Sequence, residues 1–248
     1  MTHAGSRPVQ VAFFDVDETL ITVKSMFAFL EHWLRERGDD GREYSRLLGA
    51  LRRASDEGAP RDEVNRSYYR TFHGVPLVEL EDSGRRWYRE FESTAAPYYA
   101  DTLAALRDHR DAGAAIVLLS GSFGPALGPI GEAVGADRIV ASRPVADGKG
   151  VLTGEVERPM IGQAKADAVH SVLDELGVDA GNSYGYGDHD SDLAFLEAVG
   201  HPGLRGSDPV LRAHAARDRW RVLGSATTGL AGALPLLAAT STGQRGLR

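Results

Sequence analysis

The sequence contains no cysteine among its 248 residues. This absence excludes disulfide bonds, zinc sites with thiolate ligands and a cysteine nucleophile. Positive charge is also in short supply, because 28 basic residues stand against 35 acidic ones and give a formal net charge of −7. An acidic surface repels the phosphodiester backbone, so we expect no nucleic-acid partner.

Long apolar runs are missing as well. No stretch approaches the ~20 residues that cross a bilayer, and the nearest candidate, residues 229–240, is interpreted as a final packing helix. The first ten residues, MTHAGSRPVQ, lack the basic-then-apolar order of a signal peptide. We therefore expect no membrane span and a cytoplasmic location. The chain is long enough for one large domain, or for a core that carries a smaller domain.

Short apolar runs that end at polar residues alternate with helical patterns over most of the chain. The runs cover residues 10–14, 114–119, 138–141 and 183–187. The first ends at Asp15, the second at Ser120 and the fourth at Asp188, as is typical of buried parallel strands. The helical patterns cover residues 102–112, 124–134, 164–176 and 193–199. This alternation predicts an α/β fold with a Rossmann-like, doubly wound parallel sheet.

Residues 23–94 interrupt this alternation. They are rich in Arg, Glu, Leu, Tyr and Trp, and their apolar spacing predicts helices. The four predicted helices cover residues 25–37, 42–55, 62–72 and 77–91. We expect an inserted helical cap at 23–94 and an α/β core at 1–22 and 95–248. A hairpin is predicted at 145–156, where Asp147-Gly148-Lys149-Gly150 supplies the turn.

Polar residues gather where the predicted strands end, which is where open parallel α/β sheets bind ligands. They are Asp15, Asp17, Ser120, Lys165, Asp188 and Asp192. A carboxylate can act as a covalent nucleophile in phosphoryl transfer. Neighbouring carboxylates need a cation, and Mg²⁺ is a hard ion that prefers oxygen ligands. Serine, backbone amides and lysine can hold the transferring oxygens. The set therefore predicts phosphoryl transfer with Mg²⁺ as cofactor.

Four motifs in this set resemble those of haloacid dehalogenase superfamily hydrolases. Residues 15–20 (DVDETL) resemble the first motif, hhhhDxDxTL, and residues 118–123 (LLSGSF) resemble the second, most closely the SGGF of phosphoserine phosphatases. Lys165 matches the third motif, and residues 185–193 (GYGDHDSDL) are similar to the fourth, GDxxxDL. The match covers roughly residues 10–215. It implies the phosphoserine phosphatase-like branch, in which the cap follows the first strand.

The resemblance implies catalytic and metal-binding roles for five residues. Asp15 would attack phosphorus to form an aspartyl-phosphate, and Asp17 would protonate the leaving alkoxide and then activate water. Lys165 would offset the charge on Asp15 and on the phosphate. Mg²⁺ would bind Asp15, the main-chain carbonyl of Asp17 and Asp188, with Asp192 in or just behind the metal shell. An acid at Asp17 indicates a phosphatase, because a leaving alkoxide needs a proton and a halide does not.

Four further positions are predicted to serve the substrate, a small-molecule phosphate monoester. Ser120 and the amide of Gly121 would bind phosphoryl oxygens, and Thr19 would steady the loop that carries the nucleophile. Lys24 stands nine residues after Asp15, where relatives that act on phosphoserine carry a Glu that pairs with the substrate ammonium. A lysine should repel an ammonium and favour an anionic or neutral polar head group. Sugar or cyclitol phosphates and lysophospholipids stay open, as does phosphoserine.

A non-catalytic, acidic metal-binding protein is the alternative from a different class. Residues 188–192 (DHDSD) imitate the start of an EF-hand loop. The imitation fails at Leu193, where such a loop needs Gly, and at Val199, where it needs a bidentate Glu. His189 lies within this segment and is interpreted as a solvent-facing spacer. The oligomeric state is left open by the sequence.

Overall fold

The computed structural model describes residues 8–224, which form a six-stranded sheet flanked by helices and a separate two-stranded sheet. The strands are β1 (Val11–Phe14), β2 (Ala115–Phe123), β3 (Arg138–Ser142), β4 (Pro144–Ala146), β5 (Leu152–Val156), β6 (Ser183–Gly187), β7 (His201–Arg205) and β8 (Arg221–Leu223). The large sheet has the order β3-β2-β1-β6-β7-β8, and every neighbouring pair is parallel. The predicted α/β fold with a parallel sheet is confirmed.

Helices cover both faces of this sheet. Those of residues 8–224 are α1 (Ser25–Glu36), α2 (Arg42–Asp56), α3 (Arg61–Arg70), α4 (Leu77–Glu92), α5 (Ala100–Asp111), α6 (Gly124–Val134), α7 (Gln163–Leu176), α8 (Leu193–Glu197) and α9 (Pro209–Asp218). Alternate residues of β1 point to opposite faces. Phe14 packs in the cluster that includes residues of α5 and α6, whereas Phe13 packs with α7, α8 and α9. The sheet is therefore doubly wound.

The helices α1 to α4 follow one another in the chain between β1 and α5, with no strand of the large sheet among them. Their ends agree with the predicted helices to within two residues. At the end of β2, the ring of Phe123 lies 5.4 Å from that of Phe29 and 5.7 Å from that of Phe72, between ring centroids. Tyr68 and Tyr69 contact the same ring at 6.0 Å and 5.5 Å. An aromatic side chain of the sheet is thus enclosed by α1, α3 and the turn that follows α3.

A close contact between α4 and α6 depends on a single glycine. A Cβ atom at Gly84 would lie 1.8 Å from the carbonyl oxygen of Pro125. No side chain fits in that space, so the backbones of the two helices approach each other closely only because residue 84 is glycine.

The predicted hairpin is confirmed as β4 and β5, which pair antiparallel. It packs against the segment between α3 and α4: the N–H of Gly74 donates to the carbonyl of Leu152 at 2.8 Å, and the N–H of Leu152 donates to the carbonyl of Val75 at 2.9 Å. The predicted final helix, 229–240, lies outside the described residues. Within residues 8–224, every helix is too short or too polar to cross a membrane.

Candidate active site

The acidic residues predicted to follow the strands lie side by side at the carboxyl edge of the sheet. Strand β1 lies between β2 and β6, so the residues that follow these strands are neighbours. Asp15 directly follows β1, and its N–H donates to the carbonyl of Tyr186 on β6 at 2.9 Å. Asp188 directly follows β6.

Lys165 joins two of these carboxylates from the first turn of α7. Its Nζ lies 2.5 Å from Oδ1 of Asp15 and 2.6 Å from Oδ1 of Asp192. Burial alone lowers the pKa of Lys165, but the two carboxylates raise it above its ordinary value. Burial raises the pKa of Asp15 well above its usual range, and the charge of Lys165 opposes this rise. The lysine is therefore a permanent cation beside the predicted nucleophile.

Three carboxylates converge next to this lysine. Oxygen atoms of Asp15, Asp188 and Asp192 lie within 4.8 Å of one another. Oδ1 of Asp188 accepts a hydrogen bond from Thr19 Oγ1 at 2.8 Å, and Oδ2 of Asp192 accepts one from the N–H of Asp188 at 3.3 Å. Burial and the charge of Asp192 raise the pKa of Asp188, against the Thr19 hydrogen bond. Two of the three carboxyl groups thus bind protons more tightly than isolated ones do.

Asp17 lines the same cavity and is held from the side of α1. Its Oδ1 accepts a hydrogen bond from the N–H of Ser25, the first residue of α1, at 3.0 Å. Burial raises the pKa of Asp17 to about 6, although the hydrogen bonds from Ser25 lower it. The next residue, Glu18, has a left-handed φ of 61°, and its carboxylate pairs with Lys24 at 3.1 Å. The carboxylate of Glu18 therefore partly neutralises Lys24.

The segment around Ser120 and Gly121 differs from its prediction. Strand β2 was expected to end at residue 119, but it continues to Phe123 with a shift of register after Ser120. The carbonyl of Gly121 accepts hydrogen bonds from Asn65, Tyr69 and Ser142 at 2.8–3.1 Å. Regular pairing with β3 ends at Ser120, one residue past the predicted end of the strand, and Gly121 and Ser122 bulge out before pairing resumes at Phe123.

Most of the predicted site residues border one cavity of about 180 Å³. The predicted site residues that line it are Asp15, Asp17, Lys24, Gly121, Lys165, Asp188 and Asp192. Thr19 and Ser120 are buried behind the wall, where Thr19 bonds Asp188 and Ser120 Oγ accepts the N–H of Ser122 at 3.0 Å.

Several lining residues were not predicted as site residues. Arg61, Val64, Asn65 and Tyr68 all come from α3. Their spacing of three and four residues places them on one face of that helix. That periodicity predicts the helix, but it does not distinguish a face turned to a cavity from one turned to a core.

Comparisons with known proteins find relatives that match most of the chain. The sequence model of a family described as haloacid dehalogenase-like hydrolase matches residues 12–197. The "Inhibition of morphological differentiation protein" of Streptomyces azureus is 30% identical over 221 residues, which cover 88% of this chain and 79% of that protein. A probable phosphatase of Mycobacterium tuberculosis is 28% identical over 232 residues, which cover 90% of this chain and 78% of that protein.

Solved structures show the same fold. A protein of unknown function from Bordetella pertussis Tohama I has a TM-score of 0.76 and 26% identity, covering 86% of this chain and 96% of that one. A phospho-aspartyl intermediate analogue of phosphoserine phosphatase has a TM-score of 0.62 and 17% identity, covering 87% of this chain and 92% of that one. The chain belongs to the haloacid dehalogenase-like hydrolase family, and its fold is that of the phosphoserine phosphatase-like branch.

Proposed function

We propose that this protein is a Mg²⁺-dependent phosphatase that hydrolyses a small-molecule phosphate monoester through a phosphorylated Asp15. The observation that carries the proposal is the position of Asp15 at the cavity wall, held by Lys165 and next to Asp188 and Asp192. A buried carboxylate with a permanent cation on one oxygen can remain an anion and attack phosphorus. The probable phosphatase among its relatives supports this reaction class.

In the first step, an oxygen of Asp15 forms a bond to phosphorus and the bond from phosphorus to the leaving oxygen breaks. Asp17, whose raised pKa lets it carry a proton near neutral pH, donates that proton to the leaving alkoxide. In the second step, Asp17 takes a proton from water, and the water oxygen attacks phosphorus. The bond from Asp15 to phosphorus breaks, which releases inorganic phosphate and restores the carboxylate.

The three clustered carboxylates fit Mg²⁺. They offer only hard oxygen ligands, their atoms lie within 4.8 Å of one another, and burial raises the pKa of Asp15 and Asp188. A cation relieves such a cluster because it stabilises the ionised form of each group. We propose that Asp15, Asp188 and the main-chain carbonyl of Asp17 hold Mg²⁺, with Asp192 in or behind the shell. When bound, Mg²⁺ would offset charge on the transferring phosphoryl oxygens.

Phosphoserine is the second candidate substrate, since this fold is shared with phosphoserine phosphatase. Lys24 argues against it, because it stands where phosphoserine-specific relatives carry a Glu. The adjacent carboxylate of Glu18 is already paired with Lys24 at 3.1 Å. A substrate ammonium would have to compete with Lys24 for that carboxylate, and so we propose a substrate without a cationic head group.

A direct test is hydrolysis of simple phosphate monoesters by the purified protein, with Mg²⁺ and with EDTA. We expect phosphate release only with Mg²⁺. Acid quenching during turnover should also leave phosphate bound covalently to Asp15, and mass spectrometry of the peptide that contains it can detect this. Ion binding without phosphate release from any ester would instead support the non-catalytic metal-binding alternative.

A further inference from the structure

Helix α3 contributes four non-acidic residues to the lining of the cavity. Its contributions are Arg61, Val64, Asn65 and Tyr68. None of them belongs to the groups that carry out phosphoryl transfer in the proposed function. A wall of this kind is available to contact the alcohol half of a phosphate ester, which leaves after the first step.

Of the three cations that line the cavity, two are neutralised by carboxylates. Lys165 pairs with Asp15 and Asp192, and Lys24 pairs with Glu18. Arg61 forms no ion pair with any residue of the described range 8–224. Its Nη1 instead lies 2.9 and 3.0 Å from the ring nitrogens of His189. Arg61 is therefore the lining cation whose charge is left for a ligand.

The contact with His189 fixes where this charge lies. His189 directly follows Asp188, so Arg61 reaches from α3 to the loop that carries a proposed metal ligand. Only Nη1 takes part in that contact, which leaves Nη2 and Nε of the guanidinium for other acceptors. Two neighbouring N–H donors match the geometry of a carboxylate or a phosphate.

Asn65 lies one turn further along α3 and has a hydrogen-bond acceptor without a partner among the described residues. Its Nδ2 donates to the carbonyl of Gly121 at 3.1 Å, which fixes the orientation of the amide because a carbonyl can only accept. The side chain is 7% exposed, and its Oδ1 has no hydrogen-bond partner. Buried acceptors are nearly always paired, but Oδ1 is itself enclosed by protein, so the polar group that α3 offers to a ligand in the cavity is the guanidinium of Arg61.

Between these polar groups the cavity is lined by carbon. Met26, Phe27, Leu51, Val64 and Ile161 all contribute to its surface. Such a lining suits a short carbon skeleton between two polar ends.

From this arrangement we propose that the substrate is a phosphate monoester whose alcohol part carries a second anionic group, which pairs with Arg61. The proposal rests on the proposed phosphatase function, and it adds the substrate class to it. The second group is a carboxylate or a phosphate, because both accept two parallel hydrogen bonds from a guanidinium. Arg61 is then the residue that selects substrates, and it takes no part in the bond changes at phosphorus.

Binding to an Asp15→Asn protein tests the proposal separately from catalysis. The probes are ω-carboxyalkyl phosphates of two to four carbons and α,ω-alkanediol bisphosphates, each compared with the ω-hydroxyalkyl phosphate of equal length. Calorimetry with Mg²⁺ present should give tighter binding of the doubly anionic member by about tenfold to a hundredfold. The carboxylate and bisphosphate series show which anion is preferred.

Arg61→Gln in the same background should abolish that preference, and Arg61→Lys should retain part of it. Arg89→Gln is the matched control, since Arg89 is exposed on α4 and does not line the cavity; it should keep the full preference. Equal binding of both members of every pair, or a preference that survives Arg61→Gln, would overturn the proposal. Failure of the wild-type protein to hydrolyse any of these esters would refute the phosphatase function instead, because the binding comparison needs no turnover.

Discussion

Oδ1 of Asp17 accepts a hydrogen bond from the backbone N–H of Ser25 at 3.0 Å. Ser25 opens α1, and the first N–H groups of a helix have no partner within it. Ser25 Oγ also lies 2.8 Å from Ser122 Oγ, within hydrogen-bond distance. One residue at the start of the helical segment therefore contacts both the loop after β1 and the bulge of β2. Any movement of α1 changes the environment of the proposed general acid.

This contact leads to a prediction about pH. Burial raises the pKa of Asp17 to about 6, and hydrogen bonds from Ser25 lower it by stabilising the carboxylate. Because Asp17 must hold a proton to protonate an alkoxide, kcat/KM for an alkyl phosphate should fall as pH rises through about 6. Removing a donor to the ionised form raises the pKa. Ser25→Pro removes both the N–H and the hydroxyl. It should therefore shift this fall in kcat/KM to higher pH.

Ser25→Ala separates the contribution of the hydroxyl from that of the N–H, because it removes the first and keeps the second. It should shift the fall in kcat/KM by less than Ser25→Pro does. Proline is well tolerated at the first helical position, and Lys24 already has the extended conformation that precedes proline. If kcat/KM of Ser25→Pro falls at the same pH as that of the wild type, or at a lower pH, the assignment of Asp17 as the acid is contradicted.

The nucleophile gives a second prediction. Asp15→Asn keeps the size of the side chain and removes the anion, so turnover of any phosphate ester with Mg²⁺ should fall by at least about 10³-fold. Asp108→Asn is the matched control, because Asp108 is exposed on α5 and away from the cavity. Activity close to that of the wild type in Asp15→Asn would exclude the mechanism.

The residues of the proposed chemistry were predictable because they occupy positions fixed by local sequence. Asp15 and Asp188 directly follow apolar runs that become strands, and parallel pairing of β1 with β6 makes them neighbours. The order of the four motifs along the chain also indicates that these residues belong to one site. The long-range pairing that brings them together follows from the general rule that ligand-binding residues gather at the carboxyl edge of a parallel sheet.

The remainder depends on packing that the sequence does not display. Strand β7 (HPGLR) has no apolar run, and β8 contains three residues, so neither was predicted. Helix α9 was also not predicted, although Asp208 caps it and Pro209 begins it. The cavity wall formed by α3 depends on how that helix packs against Phe123 and the hairpin, and its periodicity alone does not show which face meets the cavity.

Removal of Mg²⁺ gives a third prediction, which concerns stability. The folded-state pKa of Asp17 lies near 6 against an ordinary value of 3.8, and those of Asp15 and Asp188 are also raised. Protonation of Asp17 therefore stabilises the fold fully below about pH 4, and this contribution is lost as pH rises through about 6. The raised pKa values of Asp15 and Asp188 act in the same direction. Mg²⁺ binds the ionised carboxylates, so the gain in Tm from Mg²⁺ over EDTA should grow between pH 4 and pH 7.

At about a hundredfold excess over its Kd, Mg²⁺ should stabilise the fold by about 2.7 kcal/mol. This corresponds to about 5–11 °C in Tm for a chain of this size, at about 2–4 °C per kcal/mol. Differential scanning calorimetry of the wild type and of Asp188→Asn measures the effect, which the variant should largely lose. A Tm that is the same in Mg²⁺ and in EDTA at pH 7 would show that the carboxylate cluster holds no Mg²⁺.

Lys24 gives a fourth prediction. Wild-type kcat/KM for phosphoserine should be at most about a tenth of that for an uncharged alkyl phosphate, because the Lys24 ammonium repels that of the substrate. Lys24→Glu should raise the ratio of phosphoserine to alkyl phosphate hydrolysis. Lys149→Glu makes the same charge change on the exposed turn of the hairpin and should leave the ratio as it is. Efficient phosphoserine hydrolysis by the wild type would refute this account of Lys24.

The fifth prediction concerns the contact of α4 with α6 at Gly84. Alanine normally stabilises a helix interior relative to glycine by about 1 kcal/mol. At Gly84 the added methyl group would meet the carbonyl oxygen of Pro125 at 1.8 Å, and a backbone atom cannot move aside as a flexible side chain can. We therefore expect Gly84→Ala to lower the free energy of unfolding by about 1–3 kcal/mol or more. It should also reduce activity, because α6 follows directly from the bulged end of β2.

Gly49→Ala is the matched control for this substitution. Gly49 also lies within a helix, α2, but a Cβ there would meet only the guanidinium end of Arg53, at 3.4 Å. The two variants thus share the same gain in helix propensity and differ in what the methyl group touches. Urea unfolding should show Gly49→Ala at or above the wild-type stability and Gly84→Ala clearly below it. Equal stabilities of the two variants would mean that α4 and α6 are not held in contact at Gly84.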